Sequence, residues 1–508
     1  MSATAEGDHA TGAVDATDAT DAVDAGTRRR PALAEPPRFG VAALAAVGLL
    51  GVFSAFWRLD RADWKLDEDA YAQAGWVLVH QGIDPNLGHP PFAKLLFGGA
   101  QVVLGQNLAA VRTVSALGFL GAIAVLFVFG RRVAGWWTGI VAAGLFAVVP
   151  RTMVVGGWQV AELRIDRYGM LEAVAGTLVL VGLWLGWRWI VDGGMRWAVA
   201  TGVVLGLAGA SKLNALIVIV PVVVVGVAYV WGRARLAAET AAVVASAVVA
   251  FLLPFAVFGR RAWDQVDQTL RFPAERARGG HQLVLGSSVY VRSPWWANLR
   301  YQLDADGPIL VAALLVGLAF VLLSRRRLVV VYLLAATLAL VFTAMSSPVA
   351  LPHYRAIWTA PLILLIAIGL TEQVERLRRG TTTRLAPGPV IAAVALAVLV
   401  VVGAGSMVQL ATMGDGDYRH LAQEAAADGV APTKVLVYGE SVAPYFPGAI
   451  DSLAPFDDGT VPAQMVVLDP SLTDAVPAAS VDQWRSWARS WGLVPHRVGR
   501  LEAWWAAP

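Results

Sequence analysis

The chain has 508 residues, of which 57% are hydrophobic and 15% are charged, with a formal net charge of +3. A soluble globular domain usually carries about 25% charged residues, so this composition excludes an ordinary soluble protein and indicates many membrane spans. Cysteine is absent, which excludes disulfides, thiolate catalysis and cysteine-ligated metal sites. We expect the lipid bilayer as a partner and no nucleic acid.

The N-terminal segment, residues 1–38, is predicted to be a disordered cytoplasmic tail. Its repeat of Ala, Thr and Asp over 15–21 offers too little apolar bulk to form a core. The first apolar stretch, 39–57, is too long for the core of a simple signal peptide, and no clear Ala-x-Ala cleavage site follows it. We therefore interpret it as a retained membrane anchor.

Hydropathy predicts a transmembrane domain over residues 39–410 with about eleven helices, each near the ~20 apolar residues that a bilayer requires. Only Ser211 and Lys212 lie between the apolar runs of the fifth and sixth spans, so the boundary between these two spans is the least well defined. The predicted spans are 39–57, 108–130, 134–150, 170–190, 197–211, 213–231, 236–258, 308–323, 328–345, 356–371 and 389–410.

Arginine placement predicts the orientation of these spans. If the three arginines at positions 28–30 lie in the cytoplasm, each later basic cluster also falls on the cytoplasmic side, as the positive-inside rule requires. These clusters are Arg131 and Arg132, Arg188 and Arg196, Arg233 and Arg235, Arg325 to Arg327, and Arg376, Arg378 and Arg379. The same count predicts a multi-pass protein of the plasma membrane with a cytoplasmic N-terminus and an extracytoplasmic C-terminus.

The first outer loop, 58–107, carries the pattern that most strongly suggests chemistry. Three carboxylates, Asp67, Glu68 and Asp69, are adjacent, and His89 and Lys94 follow around a Pro-Pro turn. Like charges held a few Å apart are costly, so a loop without a function has little use for them. A carboxylate can deprotonate a hydroxyl nucleophile, and a lysine can hold a phosphate. The structural alternative is a solvated loop with a proline-initiated helix.

Residues 411–508 are predicted to form a small extracytoplasmic α/β domain. Short strand-like runs at 434–438 and 465–469 alternate with helical stretches at 418–428 and 480–491. A hairpin is expected near Val494 to Trp505. The domain has no evident catalytic residue, and we expect it to cap the site, recognise an acceptor or stabilise the fold.

The first-loop pattern resembles that of the GT-C glycosyltransferases, in particular the protein O-mannosyltransferases and the aminoarabinose transferases that modify lipid A. Asp67 and Glu68, then Tyr71, then His89 in a His-Pro-Pro-Phe run match the family in order. Later segments agree more loosely. These segments are residues 167–172 at the start of span four, residues 206–212, which end in a Ser-Lys pair, residues 293–296, which contain a Pro-Trp pair, and His353-Tyr354 before a late span.

The resemblance implies an inverting transfer of a sugar, with mannose favoured, from a polyprenyl-phosphate donor to a hydroxyl of a glycan, a lipid or a protein Ser/Thr. It implies Asp67 as the general base, with Glu68 orienting the acceptor or sharing that role. The leaving phosphate needs positive charge and hydrogen-bond donors. The candidate residues for binding the donor phosphate or substrate are His89, Lys94, Arg167, Glu172, Lys212, His353, Tyr354 and Arg355.

Two departures from the family pattern bear on the substrate. Glu172 stands where the family has Asp, and Asp166, four residues before Met170, could take its place. The loop 259–307 has no room for the β-trefoil insertion of eukaryotic mannosyltransferases, which argues against a protein acceptor. A divalent ion between Asp67 and Glu68 is an open alternative, and no other cofactor is expected. The competing functions are a non-catalytic scaffold of envelope assembly and a polytopic transporter.

Overall fold

A computed structural model describes residues 36–506 apart from short gaps. These gaps are 65–66, 150–152, 156–157, 161–166, 231, 233, 280–282, 286–287, 348, 379–386, 440–441, 443, 447, 454–458 and 470–477. Most of the predicted N-terminal tail therefore lies outside the described residues, as do Asp166, Arg233 and Arg379 of the sequence-based expectations.

Long apolar helices make up most of the chain between residues 40 and 411. The helices are α1 (Gly40–Phe56), α2 (Glu68–Gln81), α3 (Phe92–Leu104), α4 (Leu108–Ala134), α5 (Trp136–Val148), α6 (Leu171–Asp192), α7 (Met195–Ser211), α8 (Ile219–Tyr229), α9 (Leu236–Leu252), α10 (Ala262–Gly279), α11 (Ala297–Leu322), α12 (Arg327–Ser346), α13 (Ala356–Arg378) and α14 (Pro387–Ala411). Short 3₁₀ segments cover Leu213–Val218, Leu253–Arg261 and Pro352–Arg355.

This architecture confirms a helical, multi-pass membrane protein. Among the described residues, seven helical stretches are long and apolar enough to cross a bilayer, and five apolar helices are shorter. The predicted first outer loop contains two helices, α2 and α3, which hydropathy did not separate from irregular structure. Two small antiparallel hairpins, β1 (Met153–Val155) with β2 (Trp158–Val160) and β3 (Leu283–Leu285) with β4 (Ser288–Tyr290), lie in later connections.

The arginines that predicted the orientation gather at one end of the helix bundle. Arg132 and Arg188 both pair with Asp192, at the C-terminal ends of α4 and α6. Arg326 donates to the Val133 carbonyl, and Arg376 donates to the carbonyl that ends α11. Their shared location is what the positive-inside interpretation requires, and the direction of this end towards the cytoplasm stays a prediction.

The C-terminal region is an α/β sandwich around a mixed five-stranded sheet with strand order β6-β5-β7-β9-β8. Its elements are α15 (Asp417–Ala427), β5 (Lys434–Tyr438), β6 (Ile450–Leu453), β7 (Met465–Leu468), α16 (Ala478–Ser490), β8 (Val494–Val498) and β9 (Leu501–Trp505). Val435 and Val437 of β5 pack with α15, whereas Leu436 packs with α16, because successive strand residues face opposite sides. The expected hairpin is confirmed as β8 and β9.

Asp63 in the first outer loop joins this domain to the membrane helices. Its buried carboxylate accepts the backbone N–H groups of Tyr418 (3.2 Å) and Arg419 (3.3 Å) at the start of α15. The Tyr445 hydroxyl donates to it (3.1 Å) and accepts the N–H of Trp64 (2.8 Å). A carboxylate at a helix N-terminus satisfies unpaired N–H groups and complements the helix dipole, so the contact fixes the domain on the loop.

Small residues bring α7 and α9 into close backbone contact. A Cβ on Gly202 would overlap the Val243 carbonyl, and one on Gly206 would overlap the Ala247 carbonyl. Glycines four apart allow this approach between membrane helices. The packing matters for the site because Lys212 follows the last residue of α7.

We expect Gly206→Ala to destabilise the protein by about 1–3 kcal/mol, since the added methyl group must push α9 away. The measurement is the thermal unfolding midpoint of the purified protein in detergent. Gly405→Ala is the matched control, because its Cβ would meet no atom within 4 Å on α14. Equal midpoints for the two variants would contradict this packing.

Candidate active site

The first turn of α2 is held by a buried ion pair between Glu68 and Arg112. Nε of Arg112 lies 2.8 Å from Oε1 of Glu68, and Nη2 lies 2.8 Å from Oε2. Arg112 also donates to three carbonyl oxygens within loop 59–63, and the Gly169 N–H donates to Glu68. The family resemblance implied that Glu68 orients the acceptor or shares the role of general base. Because both of its oxygens are bound by a guanidinium, we assign it to positioning instead.

Asp67 is half-buried at the N-terminal end of α2, one residue before this ion pair. The buried Tyr71 hydroxyl donates to its Oδ2 atom at 3.3 Å. The Tyr71 ring in turn packs against the imidazole of His89, with 5.7 Å between the ring centroids, so Tyr71 links Asp67 to the loop that carries His89. Asp67 is thus oriented by one hydrogen bond and is free of a direct ion pair among the described residues.

Opposite Asp67, a buried cluster joins the starts or ends of three elements. Nζ of Lys212 lies 2.7 Å from Oε1 of Glu172, in the first turn of α6. Nε2 of His353 lies 3.5 Å from the same oxygen. The Lys212 ammonium also lies 5.4 Å from the centre of the Tyr354 ring. Glu172 therefore pairs with Lys212 and has His353 beside it.

A cavity of about 240 Å³ opens beside this cluster. It carries two cationic side chains, several hydroxyls and an amide, which are groups that bind a phosphate. The lining residues are Gly88, His89, Lys212, Leu213, Asn214, Phe272, Pro273, Arg276, Thr343, Ser346, Ser347, Val349 and Tyr354. We call it the basic cavity.

The imidazole of His89 packs in the wall of the basic cavity between two rings. Its centroid lies 5.7 Å from that of Tyr71 and 5.3 Å from that of Phe272. Burial, reinforced by the positive charges of Lys212 and Lys94, holds the pKa of His89 well below its usual range. His89 is therefore neutral near pH 7 and acts as a hydrogen-bonding group rather than a cation.

Lys94 is used inside the loop that carries His89. Its buried ammonium pairs with Asp84 and donates to the carbonyl oxygens of Asn86 (2.6 Å) and His89 (2.8 Å). Sequence analysis expected Lys94 to bind the donor phosphate. Since all of its contacts shape the turn 84–89, the structure gives it a positioning role, with Asp84 as a partner that no motif indicated.

Arg167 and Arg355, two further phosphate candidates, do not line the basic cavity. Arg167 donates to the Trp57 carbonyl at the end of α1, and Arg355 pairs with Asp306 at 3.3 Å. The expected set therefore divides into His89, Lys212 and Tyr354, which line the cavity, and residues whose contacts lie elsewhere.

The pair Asp67 and Glu68 does not suit a divalent ion. A metal would compete with Arg112 for both oxygens of Glu68. Within the described ranges, His, Asp and Glu residues do not gather in groups of three that could hold a metal.

Known proteins share this arrangement of helices. The solved structure of ArnT from Cupriavidus metallidurans bound to undecaprenyl phosphate matches with a TM-score of 0.56 and 15% identity, over 92% of this chain and 98% of that chain. The structure of the same protein in the apo state matches with a TM-score of 0.52 and 16% identity, over 91% of this chain and 97% of that chain. A third match is archaeal oligosaccharyltransferase AglB from Archaeoglobus fulgidus in complex with an inhibitory peptide and a dolichol-phosphate. Its TM-score is 0.53 at 13% identity, over 85% of this chain and 69% of that chain.

The chain has the GT-C fold. A family model described as dolichyl-phosphate-mannose-protein mannosyltransferase matches residues 88–260. A search of curated proteins found no match. The resemblance to GT-C glycosyltransferases that the first-loop motif indicated is confirmed.

Arg276 and Asp63, like Asp84, had no signal in the sequence. Arg276 reaches the basic cavity from α10, a helix without a recognisable motif. Asp63 lies four residues before Asp67 and looked like an ordinary loop residue. Arg112 belonged to the first-loop pattern, but its partner could not be inferred, because 44 residues separate it from Glu68.

We expect Glu68→Gln to destabilise the protein by roughly 3–5 kcal/mol, because it leaves the Arg112 charge buried without its partner. The double variant Glu68→Gln/Arg112→Met should recover part of this loss. Thermal unfolding in detergent measures both effects. A Glu68→Gln protein as stable as the parent would show that the ion pair does not hold the loop.

Proposed function

We propose that this protein is a membrane glycosyltransferase that moves a sugar from a polyprenyl-phosphate donor to a hydroxyl acceptor with inversion at the anomeric carbon. The observation that carries the proposal is that the Asp67 carboxylate is bound by Tyr71, whose ring packs on His89 in the wall of the basic cavity. A carboxylate and a phosphate-binding surface on opposite sides of one site are what an in-line displacement requires.

In the proposed reaction the acceptor oxygen attacks the anomeric carbon from the side of Asp67. Its proton passes to the Asp67 carboxylate, and a new carbon–oxygen bond forms. The bond between the anomeric carbon and the phosphate oxygen breaks, and the polyprenyl phosphate leaves with the electron pair. Attack and departure on opposite faces invert the configuration.

The leaving phosphate gains negative charge as the bond breaks. Lys212 and Arg276 supply positive charge at the basic cavity, and the Tyr354 hydroxyl and the Asn214 amide supply hydrogen-bond potential. Glu172 keeps the buried Lys212 charged and in place. Because this stabilisation grows as charge develops, it lowers the barrier more than it strengthens donor binding.

The donor class is supported by the undecaprenyl phosphate in the similar ArnT structure and by the dolichol-phosphate in the similar AglB structure. Mannose is the first sugar to test, since the matching family model carries the name of a mannosyltransferase. Arabinose is the second. The basic clusters at the opposite end of the bundle support an active site on the extracytoplasmic face of the plasma membrane.

Asp67→Asn should lower kcat for sugar transfer by about 10²–10⁴-fold, the usual contribution of a general base, with a smaller change in the KM for the donor. The assay is transfer from a polyprenyl-phosphate sugar by purified protein in detergent. Asp267→Asn is the control, because Asp267 is an exposed carboxylate on α10 that pairs only with Arg271 among the described residues. Full activity in a folded Asp67→Asn protein would refute the base assignment.

A further inference from the structure

A second and larger cavity lies between the first outer loop and the C-terminal α/β domain. Its volume is about 880 Å³, large enough for several linked sugar units. It is bounded by the loop before α2, one side of α2, the start of α4 and the C-terminal domain. The lining residues are Asp60, Trp64, Asp69, Ala72, Gln73, Gln101, Gln106, Asn107, Leu108, Ala109, Arg419, Pro444 and Tyr445. We call it the outer cavity.

The wall from the C-terminal domain is held rigidly against the loop. Tyr445 is hydrogen-bonded to both Asp63 and Trp64, and the backbone N–H of Arg419 donates to Asp63. The Arg419 guanidinium donates to the Asp60 carbonyl at 2.5 Å. A cavity whose walls are fixed before binding loses little entropy when a ligand enters.

The side chains of the outer cavity suit a neutral, polyhydroxylated ligand. The carboxamides of Gln73 and Gln106 can both donate and accept, as sugar hydroxyls do, and neither has a partner among the residues that the structure describes. Trp64 and Tyr445 provide flat aromatic surfaces.

The charges of the lining argue against an anionic ligand. Asp60 and Asp69 contribute two carboxylates and Arg419 contributes one guanidinium, so the lining has one more negative than positive side chain. Arg61, which does not line the cavity, lies 3.8 Å from the Asp60 carboxylate. A phosphate or a uronic acid would meet net negative charge in this cavity. The lining therefore differs in sign from the basic cavity, and the two cavities select different ligands.

The outer cavity lies across the start of α2 from the basic cavity. Asp67 and Tyr71, four residues apart, are hydrogen-bonded to each other and share the side of α2 on which Tyr71 packs against His89. Asp69 and Gln73, also four apart, share the side that lines the outer cavity. Residues two apart in a helix point in nearly opposite directions, so the outer cavity begins two residues along the chain from Asp67, on the other side of α2.

We propose that the outer cavity is the acceptor site of the transferase and that its ligand is a neutral glycan. The proposal rests on the proposed function, and it names the acceptor class that the sequence left open among glycan, lipid and protein. The cavity would hold sugars that do not react, and the end of the glycan would cross the first turn of α2 to Asp67.

The test is the binding of a neutral manno-pentasaccharide to the full-length protein in detergent, measured by saturation-transfer NMR without any donor. The double variant Gln73→Ala/Gln106→Ala should bind about tenfold more weakly, because two hydrogen-bonding groups are lost. Gln81→Ala is the matched control, since Gln81 is another exposed glutamine on α2 that does not line the cavity. Gln73→Trp should weaken binding independently by filling the cavity.

The comparison ligands are a mannuronate pentasaccharide, which adds carboxylates to a similar skeleton, and a Ser/Thr-rich peptide. Equal or tighter binding of either one by the wild type would overturn the neutral-glycan assignment. Undiminished binding by both Gln73 variants, or failure of the wild type to bind the neutral pentasaccharide, would overturn the acceptor site.

Donor hydrolysis in the absence of acceptor separates this proposal from the proposed function. The two Gln73 variants should release polyprenyl phosphate at the parental rate, while Asp67→Asn should still bind the pentasaccharide. A protein that binds the glycan but never uses the donor refutes the transferase, whereas active transfer with an acceptor KM unchanged by both variants refutes the cavity.

Discussion

The buried ion pair between Glu68 and Arg112 is the interaction on which the rest of the site depends. It joins the first turn of α2 to α4, and it also binds the backbone of loop 59–63 and of Gly169 just before α6. Neither charge can be left alone in this interior without a large penalty. The pair therefore selects one arrangement of the loop, and Asp67 is set beside it, bound by Tyr71, whose ring packs on His89 of the basic cavity.

The acidic residues of the first outer loop have different tasks because their surroundings differ. Glu68 faces inward to a guanidinium, and Asp63 faces the N-terminus of α15. Asp67 keeps its carboxylate towards the site with only Tyr71 bound to it among the described residues. Asp69 turns to the outer cavity. One short loop thus connects the membrane helices, the proposed base and the C-terminal domain, so the domain contributes to the architecture of the site.

Local patterns allowed the helical membrane fold, the α/β character of the C-terminal region and its final hairpin to be predicted. The first-loop motif also singled out Asp67, whose role as the base stays a prediction. The buried ion pairs could not be predicted, because they depend on which charged groups the folded chain buries together. Examples are the pair of Glu172 and Lys212 and the pair of Lys94 and Asp84. A proline-initiated helix was one interpretation of the Pro-Pro turn, and α3 begins directly after it, at Phe92. The bounds of α2 and α3 could not be predicted, because both helices are shorter than a membrane span.

The central claim is that a lipid phosphate binds in the basic cavity, across from Asp67. An electron cryo-microscopy structure of the full chain with undecaprenyl phosphate measures this directly. The account predicts phosphate density within hydrogen-bonding distance of Lys212 and Tyr354, with the Asp67 carboxylate facing the position where the sugar would attach. Phosphate bound elsewhere, or bound with Asp67 turned away from that position, would contradict it.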